Sequence, residues 1–170
     1  NANFGANSMA IRDMDDVFTG QRTQQIYANR GANGIDGVVS TAMGMSSTTQ
    51  QRSVLLTGDL TLFHDMNGLM MARQYQLPID IIVVDNDGGA IFSFLPQAAE
   101  PDYFDLLFGT PLGLDMAKIA ALYEMTFVDL TTPDDLEKVL AQPVNGPRLI
   151  AYTSDCLLYT SPSPRDMRRS

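Results

Sequence analysis

Cysteine and histidine are nearly absent from this 170-residue chain: Cys156 and His64 are the only ones. One thiol cannot close an internal disulfide, which fits a reducing, cytoplasmic compartment. One imidazole argues against a His-rich zinc site, so any metal is expected to be held by oxygen. No run of 18 apolar residues occurs, which argues against a membrane-spanning helix. Basic residues are scarce as well. Eleven Lys and Arg face 20 Asp and Glu, and the net charge of −9 would repel a nucleic acid. The opening NANFGANSMAI has no initiator Met and no signal-peptide pattern, so it reads as entered mid-protein.

What is present is an ordinary globular composition, 45% apolar and 18% charged. A chain of this length can bury a core of its own. The character changes after Asp155. CLLYTSPSPRDMRRS has no apolar period, two Ser-Pro pairs and three arginines, and CLLYTSPSPRD resembles the translation of a sequencing-library adaptor. The expected organisation is one domain over residues 1–155 and a disordered, non-native tail over residues 156–170. The alternative for the tail is a natural disordered terminus.

Short apolar, β-branched runs at residues 54–57, 79–84 and 149–151 end at Gly, Asp or Ser, as strands buried on both faces do. Weaker strands are expected at residues 25–28 and 127–130. Helical spacing fills residues 64–75 and 112–123, and Thr132-Pro133 followed by acids predicts a helix running to about Gln142. Residues 90–95 are expected to begin a helix, and the aromatic, Pro-containing residues 95–110 to form a loop or lid. Alternating strands and helices predict an α/β fold, a parallel sheet with helices on both faces.

Ligands of such sheets bind beyond the carboxyl ends of the strands. Asp59 follows one predicted strand and Asn86 follows the next, 27 positions on. If those strands are neighbours, a carboxylate, an amide oxygen and a backbone carbonyl converge, a set suited to magnesium completed by phosphate and water. Gly58, Gly88 and Gly89 would let backbone approach a phosphate. Taken singly, Gly-Asp and Asp-Asn-Asp-Gly-Gly read as turns. A calcium loop fails, because no Glu follows Asp85 at the required spacing.

Gly-Asp, 26 residues, then Asn resembles the thiamine-diphosphate motif. Within that superfamily GANSMAIRD, YANRGANGIDGVVSTAMGM, GDLTLFHDMNGL and VVDNDGGAIFSFLPQA are similar to the succinyl-enolpyruvyl-hydroxy-cyclohexene-carboxylate synthase family of menaquinone biosynthesis, MenD. The resemblance implies a thiamine-diphosphate-binding fold, the diphosphate domain, in an enzyme that decarboxylates 2-oxoglutarate and adds the remaining four-carbon unit to isochorismate.

It implies magnesium or manganese on Asp59, Asn86 and the Gly88 carbonyl, with Gly58, Leu60, Gly89 and Ile91 also about the cofactor. Ile35 would prop thiamine into its bent, reactive shape. Ser8, Arg12 and Arg30 would hold substrate carboxylates, since guanidinium forks pair with them bidentately. Ile91, Phe92 and Leu95 would wall the reacting carbon. Alone, Ile35 reads as a core residue and the arginines as surface ion pairs. His64 is assigned no role.

Asp85 and Asp87 stand where Asn is common, adding negative charge near the diphosphate. A Glu from the pyrimidine-binding domain of a second subunit is also implied, within a homodimer or tetramer, and no segment here resembles that domain. The rivals are another thiamine-diphosphate enzyme, of acetolactate synthase or 2-oxo acid decarboxylase type, and a non-catalytic magnesium-dependent nucleotide-binding module.

Overall fold

The computed structural model describes residues 2–17, 25–32, 34–49 and 51–154. The expected tail over residues 156–170 lies outside them. Six strands, β1 (Ala2–Gly5), β2 (Gln25–Tyr27), β3 (Ser53–Gly58), β4 (Ile79–Asp85), β5 (Thr126–Leu130) and β6 (Arg148–Thr153), form one sheet in the order β2-β1-β3-β4-β6-β5. Every neighbouring pair is parallel. The connections carry α1 (Met9–Val17), α2 (Val38–Thr49), α3 (Asp59–His64), α4 (Leu69–Tyr75), α5 (Pro101–Phe104), α6 (Met116–Leu122) and α7 (Asp135–Ala141).

The register sorts side chains onto two faces. Leu55, Ile81 and Leu149 lie side by side across β3, β4 and β6. They share a cluster with Val38, Met43, Leu62, Leu69 and Ile119 from α2, α3, α4 and α6. One residue further on, Ile82 and Ile150 face the opposite way and pack with Leu130 against Leu136, Val139 and Leu140 of α7. Two covered faces explain why β3, β4 and β6 read as unbroken apolar runs. The exception, Asp80, is fully buried at the lower end of β4. Its two oxygens each accept from an arginine Nε at 2.7 Å, Arg52 on Oδ2 and Arg148 on Oδ1.

Several expectations shift. β1 and the helices α1 and α2 carried no recognised period. β1 is short and lacks β-branched residues, yet it is paired on both sides, by β2 and β3. Of the helix expected over residues 64–75 only α4 (Leu69–Tyr75) is α-helical, and His64 instead ends α3. Asp65 leaves helical geometry at φ −138°, and Met66–Gly68 form one 3-10 turn. The helix expected over 112–123 begins only at Met116, where Asp115 caps it by accepting from Lys118 N at 3.0 Å. Residues 90–95 make a 3-10 turn (Ala90–Phe94), not an α-helix, because Pro96 forces Leu95 extended at φ −105°, ψ 159°. Residues 95–110, expected to be a loop or lid, form a largely exposed chain of short turns around α5.

Candidate functional site

The sheet order places a switch point between β1 and β3: the chain leaves β1 for β2 on one side and leaves β3 for β4 on the other. A crevice opens there, beyond the carboxyl ends of the strands. Asn7, Ser8 and Met9 line it after β1, residues 58–61 after β3, and Asn86, Gly88 and Gly89 after β4.

The strand pairing sets the geometry. Gly58 and Val84 are in register, so Asp59 and the residues just past β4 emerge side by side. Asp59 is 3% exposed, and its Oδ2 accepts the Gly88 N–H at 2.7 Å. One terminal atom of the Asn86 amide lies 3.3 Å from Asp59 Oδ1 and 2.9 Å from the Gly88 carbonyl oxygen. With nitrogen there, the amide donates to both. With oxygen there, three oxygens face one another, an arrangement that a cation, or a proton on Asp59, would offset. Around an octahedral magnesium at 2.0–2.1 Å, neighbouring ligand oxygens stand roughly 3 Å apart, so the donor set fits a small hard ion.

Gly88 has φ +134°, and a Cβ at that position would strike the Gly109 carbonyl. Only glycine therefore turns its carbonyl this way here. Among the described residues no three His, Cys, Asp or Glu side chains cluster as metal ligands. A cation at this point would have Asp59 as its one carboxylate and would need further oxygens from a ligand.

Burial pushes the Asp59 carboxyl up to about 6, and the Asp85 carboxylate adds to the rise. The N–H groups of Leu60 and Gly88 oppose it. Burial also raises Asp85, opposed by the hydrogen bond from the Asp87 N–H and aided by the Asp87 charge. The crevice thus holds a carboxylate poor in solvent, the setting in which a cation is bound most strongly.

Of the residues expected about the cofactor, Gly58, Asp59, Leu60, Asn86, Gly88, Gly89 and Ile91 all line this crevice. So do Ile35, Ser8 and Phe92 from the thiamine and substrate sets. Arg12 on α1, Arg30 before α2 and Leu95 are exposed and stand outside the lining. Asp87 turns away from the crevice: its Oδ1 accepts from Leu112 N at 3.1 Å and Gly113 N at 2.8 Å.

Sequence reasoning missed Asn7 and Asp13, which also line the crevice. Asn7 is 4% exposed and donates from Nδ2 to the Gly34 carbonyl at 2.6 Å. That contact joins residues 27 apart, and an Asn beside Gly and Ser carries no local sign of it. Burial raises the Asp13 carboxyl, with Asp16 contributing.

A parallel sheet whose switch point gathers a buried carboxylate, an amide and an upturned glycine carbonyl has the layout of a ligand-binding α/β domain. Residues 5–152 match the C-terminal TPP-binding domain of thiamine pyrophosphate enzymes, and the chain belongs to that family. It is 66% identical over 152 residues to the 2-succinyl-5-enolpyruvyl-6-hydroxy-3-cyclohexene-1-carboxylate synthase of Leuconostoc mesenteroides, and 52% identical over 152 residues to that of Oceanobacillus iheyensis. Those alignments take in 89% and 88% of this chain but 28% and 26% of the relatives, so the chain spans about a quarter of their length. Among solved structures, benzoylformate decarboxylase from Polynucleobacter necessarius superposes with a TM-score of 0.72 at 21% identity, over 91% of this chain and 30% of that one. At that identity the likeness is one of fold.

Proposed function

We propose that this chain is the diphosphate- and metal-holding part of a thiamine-diphosphate-dependent synthase that joins the four-carbon remnant of 2-oxoglutarate to isochorismate. Its nearness to synthases of that name supports the substrate pair. The observation that carries the reading is the meeting of Asp59 Oδ1, the Asn86 amide and the Gly88 carbonyl at the tips of two neighbouring strands. Those three groups would hold magnesium or manganese, with Gly58, Leu60, Gly89 and Ile91 about the bound diphosphate. When bound, thiamine diphosphate supplies an electron sink for the carbon that loses carbon dioxide.

The chain's own residues then bind, orient and keep water out. Ile35, half-buried at the crevice wall, is placed to prop the thiamine, and fixed geometry of this kind is worth up to roughly 7–11 kcal/mol of a barrier. Ile91 and Phe92 give that wall an apolar surface, and Leu95 would add to it. Ser8 in the crevice, together with the exposed Arg12 and Arg30, would receive carboxylate-bearing substrates. Arginine forks suit that task in a chain otherwise this acidic. The catalytic Glu and the pyrimidine-binding domain would come from a second subunit of a homo-oligomer, so this chain alone would bind the cofactor weakly and turn over no substrate.

Calorimetry with thiamine diphosphate and with ATP, each with magnesium, tests the reading. The expected result is a preference for thiamine diphosphate that Asp59→Ala abolishes. Equal binding of both ligands would sink it in favour of a nucleotide-binding module.

A further inference from the structure

Ile35 and Asp59 lie on different elements, yet any ligand that touches both needs them at a fixed separation. The structure holds them together through a residue that lines no part of the crevice. Asp65, 9% exposed, follows directly on α3. Its Oδ2 accepts from Ser40 N at 2.6 Å and its Oδ1 from Ser40 Oγ at 2.9 Å. Ser40 sits in the first turn of α2, whose first residue, Val38, comes immediately after the turn carrying Ile35. A carboxylate from another element thus takes up an orphan N–H of that turn, as a capping side chain does from within a helix.

Gly68 secures the same contact from the other side. A Cβ there would come within 2.6 Å of Ser40 Oγ and 3.1 Å of Ser40 N, so no larger residue leaves α2 this close. The far end of the Ile35 turn is held as well, by the Asn7 hydrogen bond to Gly34 O. Asp59 and Asp65 flank one short helix, which rises about 9 Å between them. From Asp59 through α3 and Asp65 to Ser40 the path consists of helix and hydrogen bonds, and the short turn of Asp36 and Gly37 carries it from the start of α2 to Ile35.

We propose that Asp65 is a positioning residue that sets Ile35 relative to Asp59, and so tunes the grip on the thiamine part of the ligand without touching the grip on its diphosphate. This rests on the functional reading above. Calorimetry on the full 170-residue chain with magnesium compares thiamine diphosphate with inorganic pyrophosphate for the wild type, Asp65→Ala, Asp65→Asn and Asp59→Ala.

Asp65→Ala is expected to lose about tenfold in affinity for thiamine diphosphate while its pyrophosphate affinity stays within about twofold. Asp65→Asn, which can still accept from Ser40, should recover part of that loss. Equal losses for both ligands, or no loss for thiamine diphosphate, would overturn the proposal. If Asp65→Ala does not fold, Asp65→Asn decides alone: a loss confined to thiamine diphosphate supports positioning, and any other pattern overturns it. Asp59→Ala should lose both ligands. Retention of both would refute the functional reading itself and take this proposal with it.

Discussion

Asp80→Asn isolates a charge at the bottom of the sheet, far from the crevice. Asp80 is fully buried, Arg148 is 6% exposed, and each Asp80 oxygen receives one Nε at 2.7 Å. The two arginines are not equivalent. Arg52 is partly exposed and also donates to the Leu140 carbonyl, so it can turn toward water when its partner is lost. Arg148 cannot, because it is buried beside Asp80.

Removing one member of a buried pair leaves an uncompensated charge and costs about 3–5 kcal/mol. The amide still accepts one hydrogen bond, so Asp80→Asn should fall near the lower end, about 3 kcal/mol. At 2–4 °C per kcal/mol that is a drop in Tm of roughly 6–12 °C. Circular dichroism melting of wild type, Asp80→Asn and Asp80→Asn/Arg148→Met measures it, and the double variant should regain much of the loss. Six residues of strand, about 20 Å, separate Asp80 from Asn86, so ligand affinity well below the transition should be unchanged. A Tm within about 2 °C of wild type, or a double variant less stable than the single, would show that Arg148 is not held by this charge.

Asp59 sets a pH dependence of known sign. Its folded pKa of about 6 lies above the ordinary carboxylate value of 3.8, so the folded state binds this proton more tightly than the unfolded one. The stability it contributes to the metal-free chain is therefore fully present below about pH 3.8 and is lost as pH rises through 6. A cation that pairs with the carboxylate reverses this, and thermal melts should show magnesium with pyrophosphate raising Tm more at pH 7 than at pH 5. A Tm gain independent of pH would mean that Asp59 is not a ligand. Gly88→Ala would force a side chain onto the Gly109 carbonyl at φ +134°. It should destabilise the chain by about 1–3 kcal/mol in denaturant melts and remove the pyrophosphate-linked magnesium effect. Unchanged stability would show that the loop accommodates a Cβ.

The central strands were legible because burial on two faces writes itself into sequence as an unbroken apolar run. Residues 54–57, 79–84 and 149–151 lie within β3, β4 and β6. β1 was not legible. Ala2–Gly5 is stabilised by pairing on both edges, and no run of four residues advertises its neighbours. α2 escaped for a related reason. Val38, Val39, Ala42, Met43 and Ser46 are buried, but Ser, Thr, Gly and Met45 fill the rest, so the polar face that would mark an amphipathic period is faint. The break between α3 and α4 was hidden because its cause, the pull of Ser40 on Asp65, comes from residues 25 positions away.

At the crevice, local chemistry was readable and long-range bracing was not. Gly58-Asp59 and Asn86 stood out because strand tips followed by polar residues are where parallel sheets gather ligands. From sequence, the added charges at Asp85 and Asp87 were expected either to weaken the hold on an anionic ligand or to raise the demand for a metal. The structure gives each a different neighbour. Asp87 Oδ1 accepts two N–H groups from Leu112 and Gly113, on the side away from the crevice. Asp85 Oδ1 accepts from Asp87 N at 3.1 Å. Neither side chain joins the Asp59–Asn86–Gly88 group. Asp87 instead ties the crevice loop to the chain entering α6, and Asp85 stabilises the turn in which Asp87 itself takes a positive φ of 53°. Their remaining influence is through space: the Asp85 charge helps to raise Asp59. Under the proposed function that charge raises the demand for a divalent cation before a diphosphate enters, so magnesium and diphosphate should bind there as a linked pair and not independently.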